Sequence, residues 1–164
     1  MSSAGALRNY LGRPLAQQAA IVEALVCLGV ARLALWGASF RRLARYLGAE
    51  GQETPEQVYD PAASCRLVAL AVDAASRHAP WEGRCFAQAL AATAMLRRRH
   101  LACTTYFGVA RDERQQLKAH AWVRCGRQFV TGGAGRERFA VVANFASVPR
   151  RRAQRARDRR PATI

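Results

Sequence analysis

Cys85 and His120 are the residues of this 164-residue chain whose types and settings can do covalent chemistry. Cys85 opens an alanine-rich run, Cys85-Phe86-Ala87-Gln88-Ala89-Leu90-Ala91-Ala92-Thr93-Ala94-Met95-Leu96, that ends in Arg97-Arg98-Arg99. Alanine gives strong helix propensity, and the closing arginines complement the dipole at a helix C-terminus. A thiol at the other end lies near unsatisfied backbone N–H groups and the positive pole, which favours thiolate. His120 sits in Ala119-His120-Ala121-Trp122-Val123, a strand pattern. An imidazole on a neighbouring strand can take the thiol proton and later protonate a leaving amine. The Cys85 N–H can help to hold an oxyanion.

The bland reading stands beside this one. A buried cysteine in an alanine-rich helix commonly behaves as a small core hydrophobe. Cys27 and Cys65 fall inside helical apolar faces, and Cys103 and Cys125 at strand positions. His78 lies in a break and His100 follows an arginine run, so both read as surface residues. The five cysteines include no C-x-x-C pair, so no metal site on that spacing is expected. Their odd number predicts free thiols and a reducing, cytoplasmic setting. Residues 1–18 contain no long apolar stretch of the secretory type.

The elements that must position the pair follow from composition and period. Residues 13–47 read as one or two helices, with Pro14 tolerated in a first turn and Gly48 as the stop. Ile21, Leu25, Leu28 and Leu35 mark one apolar stripe, and Val22, Val26, Val30 and Leu33 an adjacent one. So wide a face predicts a helix largely covered by the rest of the domain. Glu23 and Arg32 interrupt the apolar stretch, leaving pieces shorter than the roughly 20 residues of a membrane span, so none is expected.

Residues 49–59 read as a loop. Asp60-Pro61 starts a second helix that runs to about Arg77, and residues 78–83, with Trp81, break it before the Cys85 helix. Strands are predicted over 102–110, 119–125, 127–131 and 139–145, with a tight turn at Gly126 and a glycine loop over 132–135. Helices followed by an antiparallel meander give an α+β fold. One domain is expected over 1–145, helical over 13–99 and sheet over 102–145, with an Arg-rich tail over 146–164.

With 51% hydrophobic residues the chain is not globally disordered. Its 26 basic against 11 acidic residues give a formal net charge of +15, which suits nucleic acid, an anionic membrane surface or an acidic peptide. The tail carries seven arginines against Asp158, without interleaved aromatics. That pattern predicts no specific nucleic-acid site, only a solvated run of charge.

The segment Trp81-Glu82-Gly83-Arg84-Cys85-Phe86-Ala87-Gln88-Ala89-Leu90, followed by Leu96-Arg97-Arg98-Arg99, Phe107-Gly108-Val109-Ala110 and Ala119-His120-Ala121-Trp122-Val123, resembles the lasso-peptide leader peptidases. These are the transglutaminase-like cysteine proteases of lasso-peptide biosynthesis. Val22-Glu23-Ala24-Leu25 and Phe40-Arg41-Arg42-Leu43-Ala44 also look like that family, so the resemblance spans about residues 20–145. It implies a transglutaminase-like, papain-like core with Cys85 as nucleophile, His120 as general base and no cofactor. The reaction implied is removal of the leader from a ribosomally made precursor peptide. A separate ATP-using lasso cyclase then closes the freed amine onto an Asp or Glu side chain.

In that family an Asp usually follows the His-bearing strand as third member. Here Arg127-Gln128-Phe129-Val130-Thr131-Gly132-Gly133 holds no acid, and Glu137 is the first carboxylate after His120. The imidazole is therefore expected to be oriented by a backbone carbonyl or Thr131, with Glu137 the other candidate. Trp122 alternates with His120 and Trp81 lies four residues before Cys85, so both indoles are candidate cleft walls or plain core. Some members carry a fused leader-recognition domain. The N-terminal segment is helical and too short for one, which predicts a separate leader-recognition protein. Two other functions fit the same residues: a transglutaminase-like acyl transferase, and a non-enzymatic basic binding module.

Overall fold

The structure, a computed structural model, describes residues 10–56, 62–77 and 84–149. The expected helix start at Asp60-Pro61, the break over 78–83 with Trp81, and the tail from residue 150 onward lie outside the described residues.

Two helices form from the alanine- and leucine-rich N-terminal segment, α1 over Leu15–Gly37 and α2 over Phe40–Leu47. Pro14 precedes α1, and its carbonyl accepts the Gln17 and Gln18 N–H groups at 2.8 and 3.1 Å. By length and composition alone α1 is apolar enough to cross a membrane. It is nevertheless built into the domain: Ala20, Ile21, Ala24, Leu28 and Ala31 are buried, and the helix packs on α3 (Ala62–Arg77) and α4 (Arg84–Arg98). Glu23 bonds Arg99 at 2.7 Å and approaches Arg98 at 3.4 Å. The Arg99 hydrogen bond holds the Glu23 carboxyl below the usual carboxylate range.

The expectation that the rest of the domain covers both apolar stripes of α1 is not met. Val22, Leu25, Val26, Val30 and Leu33 are exposed. The neighbouring helices occupy only the alanine-rich side, where small side chains let backbones approach closely.

Where a loop was expected after Gly48, Ala49–Glu50 forms a short strand, β1. Gly48 enters it at φ 128°, and a Cβ there would lie 2.0 Å from the Ala146 carbonyl oxygen. The remaining strands are β2 (Cys103–Arg111), β3 (Leu117–Cys125), β4 (Gln128–Thr131) and β5 (Ala140–Ser147). All pairs are antiparallel, in the order β1-β5-β2-β3-β4. The simple meander therefore holds only through β2, β3 and β4. A 3-10 turn over Arg136–Arg138 leads into β5, which returns to fill the other edge of β2. β5 also runs to Ser147, past the point where the tail was expected to begin.

The two faces of the sheet carry different chemistry. Cys103, Ala121, Val123, Cys125 and Phe145 join the core beneath the helices. Thr105 on that face bonds Thr93 of α4 through their hydroxyls at 3.0 Å. Phe86, next to Cys85, meets Phe107 of β2 edge-on at 4.9 Å and Phe40 of α2 at 6.3 Å, fixing the start of α4 on the sheet.

The far face carries Tyr106, Trp122 and Arg124, with the Tyr106 and Trp122 rings stacked at 5.6 Å. The buried Arg124 guanidinium donates to the Tyr106 hydroxyl (2.9 Å), the Gly126 carbonyl (2.8 Å), Glu53 (2.9 Å) and the Thr54 carbonyl (3.1 Å). Those bonds, with Thr54 N–H to Thr104 Oγ1 at 2.9 Å, hold the segment after β1 across this face.

Candidate active site

Cys85 is the second residue of α4, half-buried at the margin of the core. Its N–H belongs to the first turn, whose donors have no intrahelical acceptor. His120 is half-buried on β3, opposite Gly108 of β2. It shares its strand face with Trp122, whose ring lies 5.7 Å away, and Phe139 stands 5.0 Å from the imidazole. These rings explain the Phe107-Gly108-Val109 wording. A Cβ on Gly108 would lie 2.8 Å from both Phe139 Cβ and Trp122 Cη2. The register between β2 and β5 also shifts between Phe107 and Gly108, beside this cluster.

The imidazole is held by backbone. His120 Nε2 lies 2.8 Å from the Gly132 carbonyl oxygen. A carbonyl only accepts, so Nε2 donates, and in the neutral ring the lone pair falls on Nδ1. Gly132 has φ +63°, and a Cβ there would meet the Ala121 carbonyl oxygen at 2.5 Å and His120 Nε2 at 3.1 Å. Neither side chain considered for this orienting role performs it. Thr131 is buried with its Oγ1 unpartnered, and Glu137 is exposed on the 3-10 turn. Trp122 is buried against His120 and Tyr106. Trp81 lies outside the described residues.

Cys85 and His120 are not hydrogen-bonded to each other. Cys85 packs on the helix-covered side, whereas His120 alternates with Ala121 and Val123, which face the helices. The ladder between β3 and β4 stops at Val123↔Thr131, so β4 does not pair with the β3 edge beside His120. Gly132 occupies that edge. A cavity of about 230 Å³ lies against it, lined by Val72 and Asp73 of α3, Gln88 of α4, Thr131, Gly132 and Gly133. Gln88 is one turn beyond Cys85 on the same side of α4. A broader groove of about 670 Å³, lined by Arg111, Lys118, Arg138 and Phe139 among others, opens on the His120 side. The roles of Gly108, Gly132 and Phe139 escaped the sequence reading, although the Gly132-Gly133-Ala134-Gly135 run marked the place. Among the described residues, no group of three His, Cys, Asp or Glu is gathered that could hold a metal ion.

The five thiols differ in access and acidity. Cys65, Cys103 and Cys125 are buried, and burial pushes the Cys103 thiol up to about 12. Cys125 is lowered by a hydrogen bond from Cys65, but its sulfur is shut in. Cys27 is half-buried, and desolvation raises its thiol. Cys85 should therefore be alkylated first by iodoacetamide at neutral pH, about tenfold ahead of Cys27, because the thiolate is the nucleophile. Timed peptide mapping reads the order. If His120 draws the thiol proton, His120→Ala slows Cys85 alone. Labelling of Cys27 at the same rate as Cys85 would remove the distinction.

Helices packed on one face of a five-stranded antiparallel sheet are consistent with a transglutaminase-like core. The family model described as "Transglutaminase-like superfamily" matches residues 24–144, and the chain belongs to that superfamily. Comparison with curated proteins and with solved structures gave no match.

Proposed function

We propose that this protein is a cysteine endopeptidase that removes the leader from a ribosomally made lasso-peptide precursor, with Cys85 as nucleophile and His120 as general base. Membership of a superfamily of thiol proteases and acyl transferases carries the reading, because the family match includes both residues. The Cys85 and His120 wording then points within that superfamily to the leader peptidases.

In the proposed reaction His120 Nδ1 takes the Cys85 proton, and the sulfur attacks the carbonyl carbon at the leader–core junction. First-turn N–H groups of α4 face the developing oxyanion. The imidazolium that forms is steadied by the Gly132 carbonyl dipole and gives its proton to the leaving amine of the core. Water, deprotonated by Nδ1, then releases the leader carboxylate and restores the thiol. The reaction requires Cys85 Sγ and His120 Nδ1 to be brought together. Trp122 and Phe139 flank the ring and limit its contact with water. The leader-recognition protein, the lasso cyclase and a cytoplasmic setting are part of the same proposal.

The test is product analysis with a precursor peptide and its recognition protein in water labelled with ¹⁸O. One label in the leader carboxylate, with a free amine on the core, is the expected result. A new amide in place of the acid makes the protein an acyl transferase. An intact precursor under conditions where Cys85 alkylates no faster than Cys27 favours the basic binding module.

A further inference from the structure

The solvent side of α1 carries a long apolar strip. Leu15, Val22, Val26, Leu33 and Trp36 are 49% to 91% exposed. At 1.5 Å per residue the stretch from Leu15 to Trp36 is about 32 Å long. So large an exposed apolar surface marks an interaction site.

The spacing says what kind of surface fits it. Val22, Val26, Gly29, Leu33 and Trp36 follow steps of four and three residues in alternation. That is the repeat by which two helices share a seam at a shallow angle. At Gly29, in the middle, a Cβ would meet no atom within 4 Å, so the strip has an open notch between Val26 and Leu33. A notch between knobs accommodates a side chain from a facing helix. A lipid surface has no use for either the period or the notch.

Charge selects among helices. Arg32 on α1 and Arg41, Arg42 and Arg45 beyond Phe40 are exposed. Glu23, the acid on α1, has its carboxylate held by Arg99 and Arg98. The free charge on α1 beside the strip and on α2 beyond its end is thus positive. A second copy of this chain would bring the same charges and another +15 against it, and the segment 150–164 is Arg-rich as well. We propose that the strip seats an amphipathic helix of a partner protein whose apolar stripe is flanked by carboxylates. The proposal is independent of the thiol chemistry.

The probe is a fluorescent 21-residue helical peptide with Leu and Val at the heptad a and d positions and Glu at e and g; its twin carries Lys at e and g. Anisotropy should show the Glu peptide binding about tenfold or more tightly than the Lys twin, a difference of about 1.4 kcal/mol, with the preference shrinking in high salt. Binding should fall at least about tenfold in Val26→Glu/Leu33→Glu and in the milder Trp36→Gln, each checked by circular dichroism. Trp36 emission should shift to the blue on binding. Equal affinity for the two peptides, no binding of either, or unchanged binding by the folded Trp36→Gln variant overturns the proposal. So does a concentration-dependent dimer of the free protein. Binding to phosphatidylglycerol vesicles that needs the strip, with no binding of the Glu peptide, replaces the helix with a membrane.

Discussion

Cys85→Ala should leave a folded protein whose peptide turnover is lower by about 10³-fold or more, the scale expected when a covalent nucleophile is removed. The fold should survive for local reasons. Alanine is the best helix former, and Cys85 is half-buried in the first turn of α4. Phe86, against Phe107 and Phe40, carries the packing that fixes the helix start. Turnover should be measured beside the melting temperature, which should move by only a few degrees for the roughly 1 kcal/mol or less at stake. Substantial residual cleavage by the pure variant would sink the nucleophile assignment. Collapse of the fold would instead make Cys85 a packing residue, and Cys85→Ser, with its smaller change in shape, would then carry the activity test.

Gly132→Ala should damage both the fold and the proposed reaction. The residue holds φ +63°, and its new Cβ would stand 2.5 Å from the Ala121 carbonyl oxygen and 3.0 Å from Trp122 Cβ. Left-handed backbone costs a non-glycine residue about 1–2 kcal/mol, and forced overpacking about 1–3 kcal/mol. A loss of roughly 2–5 kcal/mol follows from the two together. The same Cβ pushes at 3.1 Å on His120 Nε2, which the Gly132 carbonyl holds at 2.8 Å. Turnover by the folded fraction should drop by about 10²-fold, the lower range for loss of a working acid–base group. Gly51→Ala is the control, because Gly51 has φ +70° but open space where its Cβ would go. It should pay the backbone cost alone and keep its activity. Equal behaviour of the two variants in denaturant melts and turnover would mean that close packing at Gly132 does not position the imidazole.

Much of the architecture was legible because it is local. Alanine-rich runs closed by arginines gave α4, and β-branched and aromatic runs gave β2 and β3, with Cys85 at a helix start and His120 on a strand. The α+β order followed from them. What escaped depends on partners distant in the chain. Hydrophobic period shows which side chains of α1 can be buried, but not that α3 and α4 cover only its alanine side. β1 is two residues long, too short for alternation to show, and it exists only because β5 pairs with it. Arg124 reads as an ordinary charge on a strand. Its burial requires Glu53, Thr54 and Tyr106 to converge on it. The group that orients His120 is a backbone carbonyl, and every residue type has one. The lack of an acid after His120 narrowed the choice without picking Gly132.

The return of β5 to lie between β1 and β2 has a consequence for how the protein is made. As the chain leaves the ribosome, β2, β3 and β4 can pair in turn with their sequence neighbours. The other edge of β2 has no partner until residues 140–147 emerge, and β1 waits for them as well. Pairing of Ala49 with Ala146 closes everything between α2 and the end of β5 into one loop, the kind of distant contact that slows folding. Until then the nascent domain carries an unpaired inner edge over a core that Phe145 has yet to complete, a form prone to stick to other chains. β5 thus decides both when the sheet closes and how long its edge is open to neighbours during synthesis.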